Sequence, residues 1–599
     1  MTERVDPVPR VVPDLLRQRR AEDPEGTALV VDGGEGLDYA TWDRRSSSVA
    51  RGLVARGVRR GDRVALLFDN DGWTDYAVCY LGVHKAAGVA VPLSPRFADA
   101  ELAWVLERFG VSGVLCPPPA APAVPGGSWW VAEAGDVEQG QDNRAFQATV
   151  GPDDLADILC TSGTTGRPKG VACSHANLVF HELPPDRVAA ATGGAAIRFL
   201  HSFPIGTNAG QEVLRMPLHR VGRTAVALAA FDADRLCSAV ATHGITRLQL
   251  VPAMAQVLLA GGAHRRHDLS SVERVTLSSA PVPPALLDRL AEAFPRAVLC
   301  NAYALTESGT ARTLLVGAKE HPGSVGRPVG ATEVRVVDDD GSDVPDGRTG
   351  EVWLRRPGAP RRWYYGDPEA TAVAFVGDWL RTGDLGHLDG EGLLYLDDRK
   401  KDVIISGGAN ISSVEVENVL YEHPAVAEAA VFGVPHDVLG QDVAVAVVLR
   451  TGAEIGVREL QSFVRERLAE HKVPHRSVVV QALPRNASGK VLKRELPALA
   501  ASVESEGEGV AGAPLVPAPA ALSPVERSVL VAWEAALGQD VIGLHDDFFE
   551  LGGHSLAAAQ VAARLQDTFA VELPVTCVFE APTVAELAVA IERLRGAEA

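Results

Sequence analysis

Between residues 10 and 400, short runs of Val, Leu, Ile and Ala alternate with helix-like stretches, and this alternation constrains the fold more than any other feature of the chain. Arg63-Val-Ala-Leu-Leu-Phe68 and Gly88-Val-Ala-Val-Pro-Leu93 read as strands, and Ala98-Asp-Ala-Glu-Leu-Ala-Trp-Val-Leu-Glu107 reads as a helix. Strands that alternate with helices predict α/β layers with largely parallel sheets. At 599 residues the chain is too long for one hydrophobic core, so several domains are expected. The texture changes near Asp398. A small α+β unit is predicted beyond it, with a helix at Ser413-Val-Glu-Val-Glu-Asn-Val-Leu-Tyr421, a strand at Val443-Ala-Val-Ala-Val-Val-Leu449 and a second helix over residues 460–468. Residues 500–521, rich in Ala, Pro, Glu and Gly and without an aromatic residue, read as a linker. Amphipathic helices beginning near Pro524 then predict an all-α bundle of four helices. The expected boundaries are 1–399, 400–499, 500–521 and 522–599.

The formal charge of −20 is spread along the chain rather than gathered in a tail, which disfavours nucleic acid and anionic membrane as partners. Seven cysteines without CxxC spacing give no zinc or disulfide pattern and suit a reducing compartment. The start has no apolar signal core, and no uninterrupted run of about 18 apolar residues occurs. A cytoplasmic protein is expected.

After the apolar run Leu155-Ala-Asp-Ile-Leu-Cys160 comes Thr161-Ser-Gly-Thr-Thr-Gly-Arg-Pro-Lys-Gly170. Glycines let backbone N–H groups approach an anion, hydroxyls donate to phosphate oxygens, and Lys169 adds a mobile positive charge. The spacing is not that of a Walker loop, because Pro168 and Gly170 flank the lysine. The loop resembles the signature of the adenylate-forming enzymes, the superfamily of acyl-CoA synthetases, luciferases and nonribosomal peptide adenylation domains. The resemblance assigns Thr161, Ser162, Gly163, Thr164, Thr165 and Lys169 to the phosphates of ATP.

Four further segments resemble the same superfamily in order. Asn301-Ala-Tyr-Ala-Leu-Thr-Glu307 offers an aromatic face for adenine and a carboxylate for Mg²⁺. By resemblance Tyr303, Thr306 and Glu307 bind nucleotide and metal, and Ala304 replaces the usual glycine, a methyl group that could shorten the acid cavity. Within Trp379-Leu-Arg-Thr-Gly-Asp-Leu385, Asp384 can accept both ribose hydroxyls, assisted by Arg399. Lys401 stands at the hinge position. Ser406-Gly-Gly-Ala-Asn-Ile-Ser-Ser413 resembles the loop that serves the second half-reaction. Lys490, in Leu483-Pro-Arg-Asn-Ala-Ser-Gly-Lys-Val491, matches the lysine that stabilises carboxylate attack on the α-phosphate.

The tail carries Asp546-Asp-Phe-Phe-Glu-Leu-Gly-Gly-His-Ser-Leu556, which resembles the carrier-domain motif whose serine receives 4′-phosphopantetheine from coenzyme A. That serine is Ser555. No Gly-X-Ser-X-Gly elbow surrounds it, which disfavours a hydrolytic triad. The expected acid pocket comprises His201, Ser202, Phe203, Thr207, Asn208, Ser279, Ala280, Ala302 and Ala304. No aspartate lies between Arg198 and Arg215 to meet an ammonium, so a standard α-amino acid is disfavoured. Asp232 and Asp234 could serve instead, although their setting reads as a helix start.

The resemblance implies a ligase that uses ATP and Mg²⁺ to form an acyl-AMP from a small or medium carboxylic acid, then transfers the acyl group to phosphopantetheine on its own carrier domain. The implied partners are a phosphopantetheinyl transferase, a downstream condensation, ketosynthase or tailoring enzyme, and, where required, a small activator protein. Release of free acyl-CoA, activation of an amino acid in an atypical pocket, and a non-catalytic scaffold are the alternatives.

Overall fold

The computed structural model describes residues 10–597, apart from residues 118–123, 162–167, 181–195, 437–438, 451, 486–490, 501–521, 538–541, 547, 549–550, 552–554, 572 and 575. The chain divides into two compact units. The first comprises Met1–Val403, Ser412–Ala430 and Ala482–Lys493, and the second comprises Ile404–Ile411, Val431–Gln481 and Arg494–Ala599.

Two sheets build the first unit. In the seven-stranded sheet, Arg63–Leu67 lies between Val89–Leu93 and Val111–Cys116, all parallel. Val89–Leu93 is buried along its whole length, as expected for a strand covered on both faces. The helix Trp73–Lys85 is apolar nearly all round, and its Trp73, Tyr76 and Tyr80 are wholly buried. Each such side chain contributes about 1.5–3 kcal/mol by burial, an upper estimate because unfolded chains already bury some area.

The larger sheet has fourteen strands and changes character midway. Ile197–His201, Arg247–Leu250, Arg274–Ser278 and Val298–Tyr303 are adjacent and parallel, and the first three are each followed by a helix or a helix-bearing connection that carries the chain back. From Tyr303 to Arg399 the principal pairings are antiparallel. The reason lies in the connections. Between Thr313 and Arg399 only the seven-residue helix Pro368–Ala374 interrupts the strands, and antiparallel neighbours can be joined without a long crossover. The expectation of largely parallel sheets therefore describes the region before Tyr303 and not the one after it.

The predicted helix at 413–421 forms as Ser413–Tyr421, with the Ser412 hydroxyl accepting from the Glu415 amide at 3.2 Å. In the second unit, Ala444–Val447 of the strand Gly440–Leu449 pairs in parallel with Arg476–Val479. Four helices are described in the tail: Pro524–Leu537, Ser555–Phe569, Thr576–Glu580 and Val584–Ala597. Their core centres on Trp533 and Phe548, in edge contact with ring centroids 4.9 Å apart. Among the described residues, no helix is long and apolar enough to cross a membrane.

Candidate active site

Parallel strands bring their carboxyl ends to one side of a sheet, where α/β folds bind ligands. His201, Ser278 and Tyr303 end three strands of the parallel set, and the register pairs Ser278 with Ala302. Separate sequence segments are thereby gathered along one rim. Tyr303 is buried beside Ala311, Val325 and Leu354, and its hydroxyl donates to Asp384 Oδ2 at 2.6 Å. Burial and the adjacent Asp384 carboxylate push the Tyr303 phenol well above its usual range, so it stays a donor. Asp384 and Arg399 are cross-strand neighbours, and Arg399 Nε approaches Asp384 Oδ1 at 2.9 Å. An ionised carboxylate has about four acceptor positions. Tyr303 and Arg399 use one on each oxygen, which leaves one on each for two vicinal hydroxyls.

A second cluster surrounds Glu307. The Tyr364 hydroxyl donates to Glu307 Oε1 at 2.9 Å, and Lys169 Nζ lies 4.8 Å from the centroid of the same ring. Lys169 begins the strand Lys169–Ser174 and is the register partner of Thr161. Arg362 is 3% exposed. It donates to the Thr306 carbonyl at 2.7 Å, to Asn208 Oδ1 at 2.8 Å and to Asn177 Oδ1 at 3.0 Å. One guanidinium thus joins the Thr306–Glu307 segment to the start of the helix Asn208–His219. Sequence reasoning missed both Arg362 and Tyr364. Pro360-Arg-Arg-Trp-Tyr-Tyr365 contains two adjacent arginines, and nothing local distinguishes the buried one.

In the expected pocket, His201, Ser202 and Phe203 are buried. His201 meets the Trp73 ring edge-on at 5.3 Å, and its Nδ1 accepts from the Phe203 amide at 3.3 Å. Thr207 caps the helix Asn208–His219 by accepting from the Gly210 amide at 3.1 Å. Asn208 also donates to Glu212 Oε1 at 3.1 Å, so this stretch, which has no aspartate, does carry a glutamate carboxylate one helical turn from Asn208. Asp232 caps the helix Ala233–His243, and Asp234 pairs with Arg266 at 2.7 Å and with His267 at 3.0 Å. Both aspartates have local roles, as their helix-start setting suggested.

Burial lowers His201 from 6.5 to about 3, so the imidazole stays neutral at ordinary pH. A histidine whose folded value is depressed favours the folded state fully above 6.5, and that contribution is lost as pH falls toward 3, because only the unfolded chain takes up the proton readily. Between pH 7.5 and pH 5, His201 should account for about 2 kcal/mol of lost stability. Urea unfolding of wild type and His201→Asn across that range checks this, since the variant should lose correspondingly less. An unchanged slope would show that His201 already titrates in the folded protein.

Ser279 and Ala280 are exposed at the rim, Ala302 is half-buried and Ala304 is exposed. Ser279 has φ +73°, a left-handed conformation that glycine adopts freely and side chains rarely do. Ser279→Val, with a branched Cβ, should cost about 1–3 kcal/mol. Ser279→Gly should shift the urea midpoint little, because relief of strain and greater chain entropy oppose each other.

Lys401 is exposed. Next to Arg399, the Asp398 carboxylate accepts from the Ser413 amide at 2.6 Å and from its hydroxyl at 2.9 Å. Lys493 reaches Glu417 at 2.6 Å. Ser162, Gly163, Thr164, Thr165 and Lys490 lie outside the described residues, and Ser555 begins the helix Ser555–Phe569.

Parallel strand ends, the Tyr303–Asp384–Arg399 contacts and the Glu307–Tyr364–Lys169 contacts stand in a chain whose relatives and fold are those of the adenylate-forming acid–thiol ligases. The chain belongs to the AMP-binding enzyme family, which it matches over residues 16–364. The family's C-terminal domain follows at 415–490, and a phosphopantetheine attachment site at 527–591. The chain is 36% identical over 484 residues to a feruloyl-CoA synthase of Amycolatopsis sp, an alignment covering 80% of this chain and 97% of that one. It is 32% identical over 600 residues to a linear gramicidin synthase of Brevibacillus parabrevis, covering 96% of this chain and 11% of that one. Among solved structures, the o-succinylbenzoate CoA synthetase of Bacillus subtilis in complex with its acyl-adenylate intermediate superposes with a TM-score of 0.71 at 30% identity, covering 81% of this chain and 98% of that one.

Proposed function

We propose that this ligase activates a small or medium carboxylic acid with ATP and loads it onto its own carrier domain, as a module of a nonribosomal peptide or polyketide pathway. The observation that carries the reading is the Tyr303–Asp384–Arg399 arrangement, which leaves one acceptor position on each carboxylate oxygen for a ribose diol, in a chain that also contains a phosphopantetheine attachment site. Asp384 orients the nucleoside. Glu307, with Oε1 held by Tyr364, can hold Mg²⁺ through its other oxygen, and the ion would neutralise phosphate charge. Thr161, Thr306 and Lys169 bind phosphate oxygens, together with the loop residues Ser162 to Thr165. Lys490 supplies positive charge where the acid attacks the α-phosphate, and Lys401 is the hinge between half-reactions. Phosphopantetheine on Ser555 would supply the accepting thiol.

The alignment with a peptide synthase runs through the adenylation and carrier regions together and supports loading in cis. The pocket stretch offers the neutral His201 with Thr207 and Asn208 and no aspartate between Arg198 and Arg215, which supports an acid without an α-ammonium group, whereas the Glu212 carboxylate beside Asn208 would speak for an amino acid. A phosphopantetheinyl transferase and an enzyme that consumes the loaded carrier are the partners this reading requires. Pyrophosphate exchange over a panel of aryl, short acyl, hydroxy and α-amino acids tests it. Exchange with no acid would overturn the catalytic reading, and exchange with α-amino acids alone would overturn the substrate class.

A further inference from the structure

A cleft of about 440 Å³ lies against Glu307 and is lined by Thr310, Arg361, Arg362, Phe375 and Asp378 among others. Arg355 and Arg356 also border it, so four arginines face two carboxylates in a chain whose net charge is −20. Arg355 is matched by Glu333 at 2.6 Å, and Arg356 donates to the Val329 carbonyl at 3.0 Å. Arg361 and Arg362 differ. Arg361 is exposed and donates to the Gly377 carbonyl at 3.0 Å, while Arg362 bonds three neutral oxygens. Among the described residues, neither has a carboxylate within ion-pair distance. A third group points the same way: the Thr310 hydroxyl is buried in the wall with no hydrogen-bond partner among the described residues. Unmatched guanidinium charge and an unused hydroxyl together suit a small, densely charged oxyanion.

Glu307 is common to this cleft and to the Lys169–Tyr364 cluster, so the cleft begins at the carboxylate that the adenylation reading places beside the nucleotide phosphates. We propose that this cleft is the release path for inorganic pyrophosphate, with Arg361 and Thr310 binding the product as it leaves. The inference rests on the adenylation reading above. A phosphate of coenzyme A shares the chemistry, but the tie to Glu307 favours the product of the first half-reaction.

The test is the KM for pyrophosphate in the exchange reaction, compared with the KM for ATP in a hydroxylamine-trapping assay without added pyrophosphate. Arg361→Gln should raise the first by about three- to tenfold and the second by less than about twofold, and Arg361→Lys should recover most of the difference. Thr310→Val should raise the pyrophosphate KM and, by removing a buried hydroxyl that has no partner, also raise the melting temperature. Equal effects on both KM values, unchanged pyrophosphate KM in both variants, or an effect confined to acyl transfer from preformed acyl-AMP would each overturn the release path. Absence of exchange in the wild type is a different outcome, and it would remove the adenylation reading itself.

Discussion

Ser555→Ala is expected to abolish acyl loading of the chain while pyrophosphate exchange continues at the wild-type rate. The loss should be complete rather than graded, because a phosphodiester to the pantetheine arm needs the serine oxygen and alanine offers no replacement atom. Ser555 begins the fifteen-residue helix Ser555–Phe569, whose Val561, Ala562 and Leu565 pack in the carrier core. Positive partial charge at a helix N-terminus favours the phosphate of the attached group. Asp384, Glu307 and Lys169 belong to the other compact unit, so the substitution should leave the first half-reaction intact. Mass spectrometry of the protein after incubation with CoA, a pantetheinyl transferase, ATP and the acid reads the loading. A protein-bound acyl group on the Ser555→Ala chain would place the acceptor elsewhere, and loss of exchange in that variant would show that the carrier is needed for adenylation.

What the sequence made legible depended on the range of the interactions involved. Val89–Leu93 and Ser413–Tyr421 announce themselves because burial on both faces and helical period are written in consecutive residues. Asp384 and Arg399 could be nominated from order and spacing, but their pairing across two strands depends on a register that neither segment encodes alone. Arg362 was illegible for a stronger reason. Its acceptors sit at residues 177, 208 and 306, and only the assembled fold turns one of two adjacent arginines inward. Glu212 went unremarked because sequence reasoning sought an aspartate beside an aromatic residue, whereas helical spacing brings this glutamate against Asn208. The change from parallel to antiparallel pairing after Tyr303 could have been read from the near-absence of helices between residues 313 and 400, a signal carried by what the connections lack.

Asp384→Ala is expected to lower kcat/KM for ATP by about 10²- to 10⁴-fold, the loss of two hydrogen bonds to a charged acceptor at about 1.5–3 kcal/mol each. Asp384 is 4% exposed and engaged on both oxygens, so its position is fixed before nucleotide arrives and little ordering cost opposes binding. Removing it also leaves Arg399 without its carboxylate and Tyr303 without its acceptor. The Arg399 side chain is 34% exposed, so water relieves part of that loss and destabilisation should stay below what a fully buried orphan charge would cause. Asp384→Asn separates charge from geometry, because the amide keeps one acceptor oxygen but presents a donor to Tyr303 or Arg399. Its activity should fall between those of wild type and Asp384→Ala. Tyr303→Phe keeps the carboxylate and removes only the 2.6 Å hydrogen bond, so its effect should be the smallest of the three. If Asp384→Ala folds with near-normal stability and retains wild-type KM for ATP, the carboxylate is a structural partner of Arg399 rather than the ribose-binding group, and the nucleotide site must be sought elsewhere along the strand ends.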